Sequence, residues 1–319
     1  MPHSLSELLL AHYGSALPPL KWFPITSGFS GAQVWRGDDE FGAPRYALKR
    51  WPAEITSSRI GAVHAWLTQA RHLSFVPALI PTISGLSWIE EQERVWDLSR
   101  WLPGQPRLPA GRSEVENACV AVAHLHRVWS PQSRWSLCPG LLRRIEVLTQ
   151  WLTAPPSRDW LFHENLADVL ERAFQVVTRT APAALQSLKP WEETLFSLHP
   201  CVRDLRGEHI LFSGERVTGI VDFGAMAVDS PAGDLARVLG DLAAENDELF
   251  ARGLEKYRQE RSDFTVSDDF VRRLDRAGVI CSLIGWFARL LKKQMTVPDK
   301  NIRIRLTHLL ARAEQRLSF

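Results

Sequence analysis

CVRDLRGEHILFSGERVTGIVDFG, residues 201–224, is the stretch on which the reading of this chain turns. Two apolar runs, HILF and VTGIV, flank SGER, a turn signal, so the stretch reads as a β-hairpin. With 213–216 as the turn, position 212 faces 217 and Glu208 faces Val221. That register brings His209 and Asp222 near one another at the open end, with Asp204 in the loop just before the hairpin. Two carboxylates and an imidazole then converge where both strands finish. Phosphoryl transfer needs such a group: one carboxylate to orient or deprotonate an attacking hydroxyl, and a second, with a further ligand, to hold a divalent cation. The plainer alternative is that Asp204 and Asp222 are ordinary loop residues beside a hairpin.

Working outward, the hairpin sits within a helical region. Upstream of it, SEVENACVAVAHLHRVW opens with Ser113 and Glu116 in capping-box spacing, and further helices are expected at 141–153 and 162–180. Downstream, three amphipathic helices are expected at about 232–262, 268–294 and 300–317. The first hundred residues differ. KWFPITSG, AQVWRGDD and RYALKRW read as three strands, TSSRIGAVHAWLTQARHL as a helix with serines available as caps, and LSWIEEQERVWDLSRWL as two more strands. The proline- and glycine-rich WLPGQPRLPAG marks a boundary between the two regions. The expectation is an α+β, bilobal plan: residues 1–100 as a small β-rich N-lobe with one helix, and residues 101–319 as a larger helical C-lobe carrying the hairpin.

The bulk properties allow this and exclude little. The 319 residues suffice for a sizeable core, and 45% hydrophobic with 23% charged residues is ordinary for a globular protein. The net charge is +2 and no basic tail is present, which gives no support to a nucleic-acid partner. The longest apolar run, AGVICSLIGWFARLL, is too short to span a bilayer and contains an arginine, so no membrane association is expected. MPHSLSELLLAHYG has no basic start and reads as a short helix. Four widely spaced cysteines argue against a zinc site or a disulfide framework, and a cytoplasmic setting is the default. Most of the thirteen tryptophans are expected in packing.

VRDLRGEH…IVDFG resembles the catalytic and metal-binding loops of the protein-kinase-like fold, with the aminoglycoside phosphotransferase and choline kinase family as the nearest likeness. SPAGDLARVLG and RWLPGQP are similar to the segments that follow and precede those loops in that family. The likeness is specific over about 201–241 and weak elsewhere. It implies Asp204 as the catalytic base, Asp222 as a metal ligand and Asp234 as the buttress of the catalytic loop. It further implies ATP as donor, Mg²⁺ as the cation, and the C-terminal helices as the acceptor pocket. SGFSGAQVWRG offers Gly28 and Gly31 for close approach of backbone to nucleotide phosphates, although the same string serves a plain hairpin turn. No GxxxxGK[ST] occurs, so a Walker-type loop is excluded. Lys49, on the third strand, takes the place of the lysine that contacts the α- and β-phosphates. The glutamate that partners that lysine from the next helix has no counterpart; His64 falls near its place, either as a core histidine or as an acceptor for Lys49.

Three positions depart from the pattern. Val202 replaces a bracing histidine. Arg206 stands where a cation would lie near the transferred phosphate, or else pairs with Glu208. His209 replaces an asparagine ligand, and imidazole nitrogen is softer, so three outcomes are open: Asp222 alone holds one Mg²⁺, His209 shifts preference toward Mn²⁺, or the site binds nucleotide poorly and turns over nothing. Arg203 and Arg206 together are expected to favour the charged form of Asp204. Few residues separate Gly224 from the helix near Pro231, so no segment long enough to dock a peptide is present. A small-molecule hydroxyl acceptor is therefore expected, aminoglycoside-, amino-alcohol- or sugar-like. Asp241, Glu245, Asp247 and Glu248 either meet a cationic acceptor or form a solvated helix face, and Trp286 either walls a pocket or packs in the core. The leading expectation is an ATP-dependent phosphotransferase with Asp204 and Arg206 catalytic, Gly28, Gly31 and Lys49 on the nucleotide, and Asp222 and His209 on the metal. The alternative is a catalytically weak nucleotide-binding or regulatory module.

Overall fold

The computed structural model describes residues 5–25, 31–157, 164–244, 246–291 and 298–315. The chain forms two compact units, Met1–Gln105 with Leu211–Ser213 and Thr218–Gly224, and Pro106–Ile210 with Gly214–Val217 and Ala225–Phe319.

In the first unit, α1 (Leu5–Tyr13) precedes an antiparallel sheet of β1 (Lys21–Ile25), β2 (Gln33–Asp38), β3 (Pro44–Arg50), β4 (Ile89–Glu91) and β5 (Arg94–Arg100). The strand order is β1-β2-β3-β5-β4. Alternation along β3 sends Tyr46 and Leu48 into a core with Leu8, Leu9, Tyr13, Ile89, Trp96 and Leu98. Lys49 therefore lies on the other face, and the register sets it directly opposite Asp97 of β5. A second cluster forms from Trp51, Val95 and Ile60 of α2 (Ser57–Gln69). The cap of α2 is Thr56, one residue before the serines, its side chain accepting from Arg59 N–H at 3.3 Å.

The hairpin is present as β8 (Ile210–Ser213) and β9 (Arg216–Ile220). Its open end is shorter than expected: Gly207–His209 forms a 3₁₀ turn, so Glu208 is not a strand residue facing Val221.

The second unit holds α3 (Arg112–Trp129), β6 (Arg134–Leu137), α4 (Pro139–Thr153), α5 (Ala167–Leu188), β7 (Leu195–Cys201), β10 (Ala227–Asp229), α6 (Pro231–Leu242), α7 (Asp247–Glu260), α8 (Asp268–Leu291) and α9 (Asp299–Gln315). The strands pair antiparallel in the order β10-β7-β6. The single helix expected over 232–262 is two. The chain turns at Ala244, whose φ is 49°, and Asn246 starts α7 by accepting from Leu249 N–H at 3.0 Å. The expected capping box at Ser113 is absent. Gly111 is the cap of α3, Ser113 lies inside the first turn, and Glu116 pairs with Arg112 at 3.0 Å. Pro231 at the start of α6 suits a position whose N–H has no helical partner, and Ser230 caps it. All four cysteines are free thiols. No helix among the described residues is long and apolar enough to cross a membrane.

Candidate active site

Each unit carries part of the expected machinery. In the first, Lys49 Nζ donates to Asp222 Oδ1 at 3.1 Å and lies 3.8 Å from the centroid of the Trp51 ring. Trp51 Nε1–H donates in turn to Asp97, a buried carboxylate on the strand opposite. The ammonium is thus held by a carboxylate on one side and an aromatic face on the other. His64 does not serve Lys49. It is buried, with Nδ1 2.8 Å from Ser87 Oγ and Nε2 3.5 Å from Asp97. Asp222 takes a φ of 62°, a left-handed conformation uncommon outside glycine and strained for a side-chain-bearing residue. Next to it, Gly224 leaves room for Trp51: a Cβ there would stand 2.9 Å from the indole ring. Gly224 C=O accepts from Arg59 at 3.1 Å, which ties this turn to α2. Gly31 has a φ of 75°, which glycine adopts freely. Gly28 lies outside the described residues.

In the second unit, β7 runs into the loop Val202–Arg206, and Asp234 of α6 holds that loop from below. Its two carboxylate oxygens accept from Val202 N–H at 2.7 Å and Arg203 N–H at 2.6 Å. His126 of α3 lies 3.1 Å from Asp234 Oδ2 through Nε2 and 2.8 Å from Tyr257 Oη through Nδ1. A carboxylate accepts, so Nε2 carries the proton and Nδ1 accepts from the tyrosine. Burial pushes the His126 pKa down despite the carboxylate, which keeps the ring neutral. His126, Cys201 and Asp234 lie close enough to suggest a metal trio, but the hydrogen bonds to Asp234 and His126 give both residues a structural role. Val202 is fully buried. Arg203, with a φ of 68°, turns its guanidinium away to Asp229 at 3.1 Å.

Asp204 is therefore not flanked by Arg203, as the sequence suggested, but by Arg206 and by Arg237 of α6. Arg206 Nε lies 3.5 Å from one carboxylate oxygen and Arg237 3.7 Å from the other. Arg289 adds a third cation to its field. The Arg206 guanidinium also pairs with Glu208 at 2.5 Å.

His209 is buried, with Nδ1 2.8 Å from the Asp204 carbonyl oxygen and Nε2 3.1 Å from Arg206. A carbonyl only accepts and a guanidinium only donates, so Nδ1 carries the proton and the Nε2 lone pair faces Arg206. Ligation of a cation through Nε2 requires the guanidinium to leave first.

Trp51, Asp97, His126, Tyr257 and Arg237 were not singled out from the sequence. Arg237 lies within SPAGDLARVLG and Trp51 ends RYALKRW, but neither string says what its side chain meets, and each of the five reaches its partner through tertiary packing. The pairing Lys49↔Asp97 follows from strand register, the one signal that would have pointed to Asp97.

The model of the phosphotransferase enzyme family matches residues 21–268, and the chain belongs to that family. No curated protein matches the sequence. Among solved structures, a spectinomycin phosphotransferase in complex with ADP and spectinomycin superposes with a TM-score of 0.70 at 13% identity, covering 98% of each chain. Amicoumacin kinase in complex with AMP-PNP and Ca²⁺ gives 0.64 at 11% identity, covering 98% of this chain and 92% of that one. An aminoglycoside phosphotransferase from Alicyclobacillus acidocaldarius gives 0.53 at 18% identity, covering 99% and 95%. At these identities the likeness is one of fold, the protein-kinase-like fold with an antiparallel sheet followed by a helical region. Family membership supports a small-molecule phosphotransferase.

Proposed function

We propose that the protein transfers the γ-phosphoryl group of ATP to a hydroxyl of a small molecule. The observation that carries this reading is the Lys49–Asp222 pair at 3.1 Å, a cation and a carboxylate held together by residues 173 positions apart. Lys49 binds the α- and β-phosphates, with the backbone at Gly28 and Gly31 approaching them. Asp222, partly exposed and bearing hard oxygen donors, suits a divalent cation such as Mg²⁺. That ion supplies charge neutralisation on the phosphates.

Asp204 orients the acceptor hydroxyl and accepts its proton. The acceptor oxygen bonds to Pγ as the bond from Pγ to the β,γ-bridging oxygen breaks, and ADP leaves with that electron pair. Arg206 stabilises charge on the group in transfer. His209, with its lone pair turned to Arg206, serves first as a brace that aims this guanidinium, and ligates Mn²⁺ only where Arg206 has moved. The passage from Gly224 to α6 at Pro231 is short, which supports a small acceptor over a peptide. The solved spectinomycin and amicoumacin kinases bind small molecules, in keeping with this choice. A reducing, cytoplasmic setting is part of the reading.

The locked state of His209 and Arg206 favours one rival, a module that binds nucleotide and turns over slowly or not at all. Thermal shift with ATP and Mg²⁺ or Mn²⁺, followed by an acceptor screen on the parent and Asp204→Asn, separates the two. Turnover that Asp204→Asn abolishes supports the kinase. Nucleotide binding without turnover on any acceptor supports the rival, and no nucleotide binding sinks both.

A further inference from the structure

A cationic acceptor needs acids left over to meet it; among the described residues Asp241, Asp247 and Asp275 are already engaged, Glu248 lies exposed on α7, and Glu245 lies outside the described residues. Asp241 accepts from Gly207 N–H at 3.1 Å and pairs with Arg312 at 2.5 Å. Asp275 pairs with Arg312 at 2.7 Å, and Asp247 pairs with Arg272. Trp286 is buried and offers no open aromatic wall.

Cations, in contrast, are in surplus. Helices α4, α6, α8 and α9 line a small recess, open to solvent and with enclosed room for about one water, whose lining includes Arg144, Arg237, Arg305 and Arg312, with Asp275 the carboxylate among them. Arg312 is neutralised by Asp241 and Asp275; the other three are not matched in this way. Arg144 donates to Gly140 C=O at 2.8 Å, has no carboxylate ion pair among the described residues, and keeps a buried Nε–H without an acceptor. Arg237 reaches Ser282 Oγ at 3.4 Å and Asp204 at 3.7 Å, and its Nε–H is likewise buried without an acceptor. Arg305 makes no hydrogen bond or ion pair among the described residues. Burial first, and neighbouring arginines next, lower the pKa values of Arg144 and Arg305. Gathering like charges with orphaned donors is costly, and an anion removes that cost.

We propose that the Arg144–Arg237–Arg305 pocket takes an anionic group of the acceptor, a carboxylate or a phosphate, while the acceptor hydroxyl lies at Asp204. Arg237 links the two, since it lines the pocket and reaches the catalytic carboxylate. The inference rests on the phosphotransferase reading and names its substrate class: a hydroxylated acid or phosphate ester, not an amine.

Matched probes test it by titration calorimetry on the full chain: glycerate and glycerol 3-phosphate against glycerol and ethanolamine, with inorganic phosphate as the bare anion. ATP-analogue binding is measured in parallel as the separate check on the phosphotransferase reading. Glycerate or glycerol 3-phosphate is expected to bind, and glycerol and ethanolamine are not. Arg305→Ala and Arg144→Met are expected to weaken the anions by about tenfold or more, and Arg305→Lys by less, with analogue affinity unchanged and thermal melts not lowered. Ethanolamine binding as well as the anions overturns the inference. So does anion affinity unmoved by both variants, or inorganic phosphate binding as tightly as the hydroxylated anions, which would mark a bare anion site only. Loss of analogue binding in the parent, with the anion results intact, counts against the kinase and leaves the arginine pocket standing.

Discussion

Lys49 is clamped between Asp222, 3.1 Å from its Nζ, and the face of Trp51, whose ring centroid is 3.8 Å away. Asp97 anchors the indole from the far side, so the ammonium is positioned by a chain of three side chains. Trp51→Phe keeps an aromatic face but leaves buried Asp97 without this donor. The expected result is a loss of about 1–3 kcal/mol in stability with a smaller fall in nucleotide affinity. Lys49→Met should do the reverse, lowering nucleotide affinity with little loss of stability. Urea unfolding and nucleotide titration on the two variants check the crossed pattern.

Asp204→Asn should preserve the shape of the loop, because Asp234 holds it through the N–H groups of Val202 and Arg203 whether or not position 204 is charged. The kcat should fall by about 10²–10⁴ with nucleotide affinity unchanged. An equal loss of nucleotide affinity would mean that the carboxylate binds the donor.

The tautomer at His209 has a readable consequence. A metal ligand sets which ion works best, and a brace does not. His209→Asn should leave the ratio of Mn²⁺- to Mg²⁺-supported turnover unchanged, while lowering kcat because Arg206 loses its partner. A marked swing toward Mg²⁺ in that variant would make His209 a ligand after all.

Acid should weaken the fold through its buried imidazoles. Burial pushes His199 down to about 3, and His126 is also lowered. Below the ordinary histidine value the unfolded chain takes up protons that the folded one refuses, so stability is full above about pH 6.5 and falls as pH drops. Each such histidine contributes a slope of about 1.4 kcal/mol per pH unit. His199→Gln should remove one proton's share of that slope between pH 6.5 and 5, measured by urea unfolding at a series of pH values.

The sequence discloses what is local. Alternation marks β2 and β3, the serine- and threonine-rich start marks α2, and the RDL and DFG strings mark the turns that carry Asp204 and Asp222. It hides what depends on packing. α6 and α7 share a continuous amphipathic pattern, and the break rests on one left-handed alanine and an asparagine cap. β7, LFSLHPC, is almost wholly buried and lacks polar alternation, so it does not announce itself as a strand. At the site, the motif indicates Arg203 and Arg206 beside Asp204. The left-handed turn at Arg203 sends one of them to Asp229, and Arg237, thirty-three residues on, comes in from α6. The arginine cluster behind the proposed anion site is invisible in composition, since the net charge is only +2 and the arginines gather from three helices.

The support under the Val202–Arg206 loop also bears on the order in which the chain takes shape. Its hydrogen-bonded props join partners 108 and 131 residues apart, His126 with Asp234 and His126 with Tyr257. Closures over such spans come late. During synthesis the loop therefore leaves the ribosome before its last prop exists, and a nascent chain cut short ahead of Tyr257 would lack the final fastening of that loop.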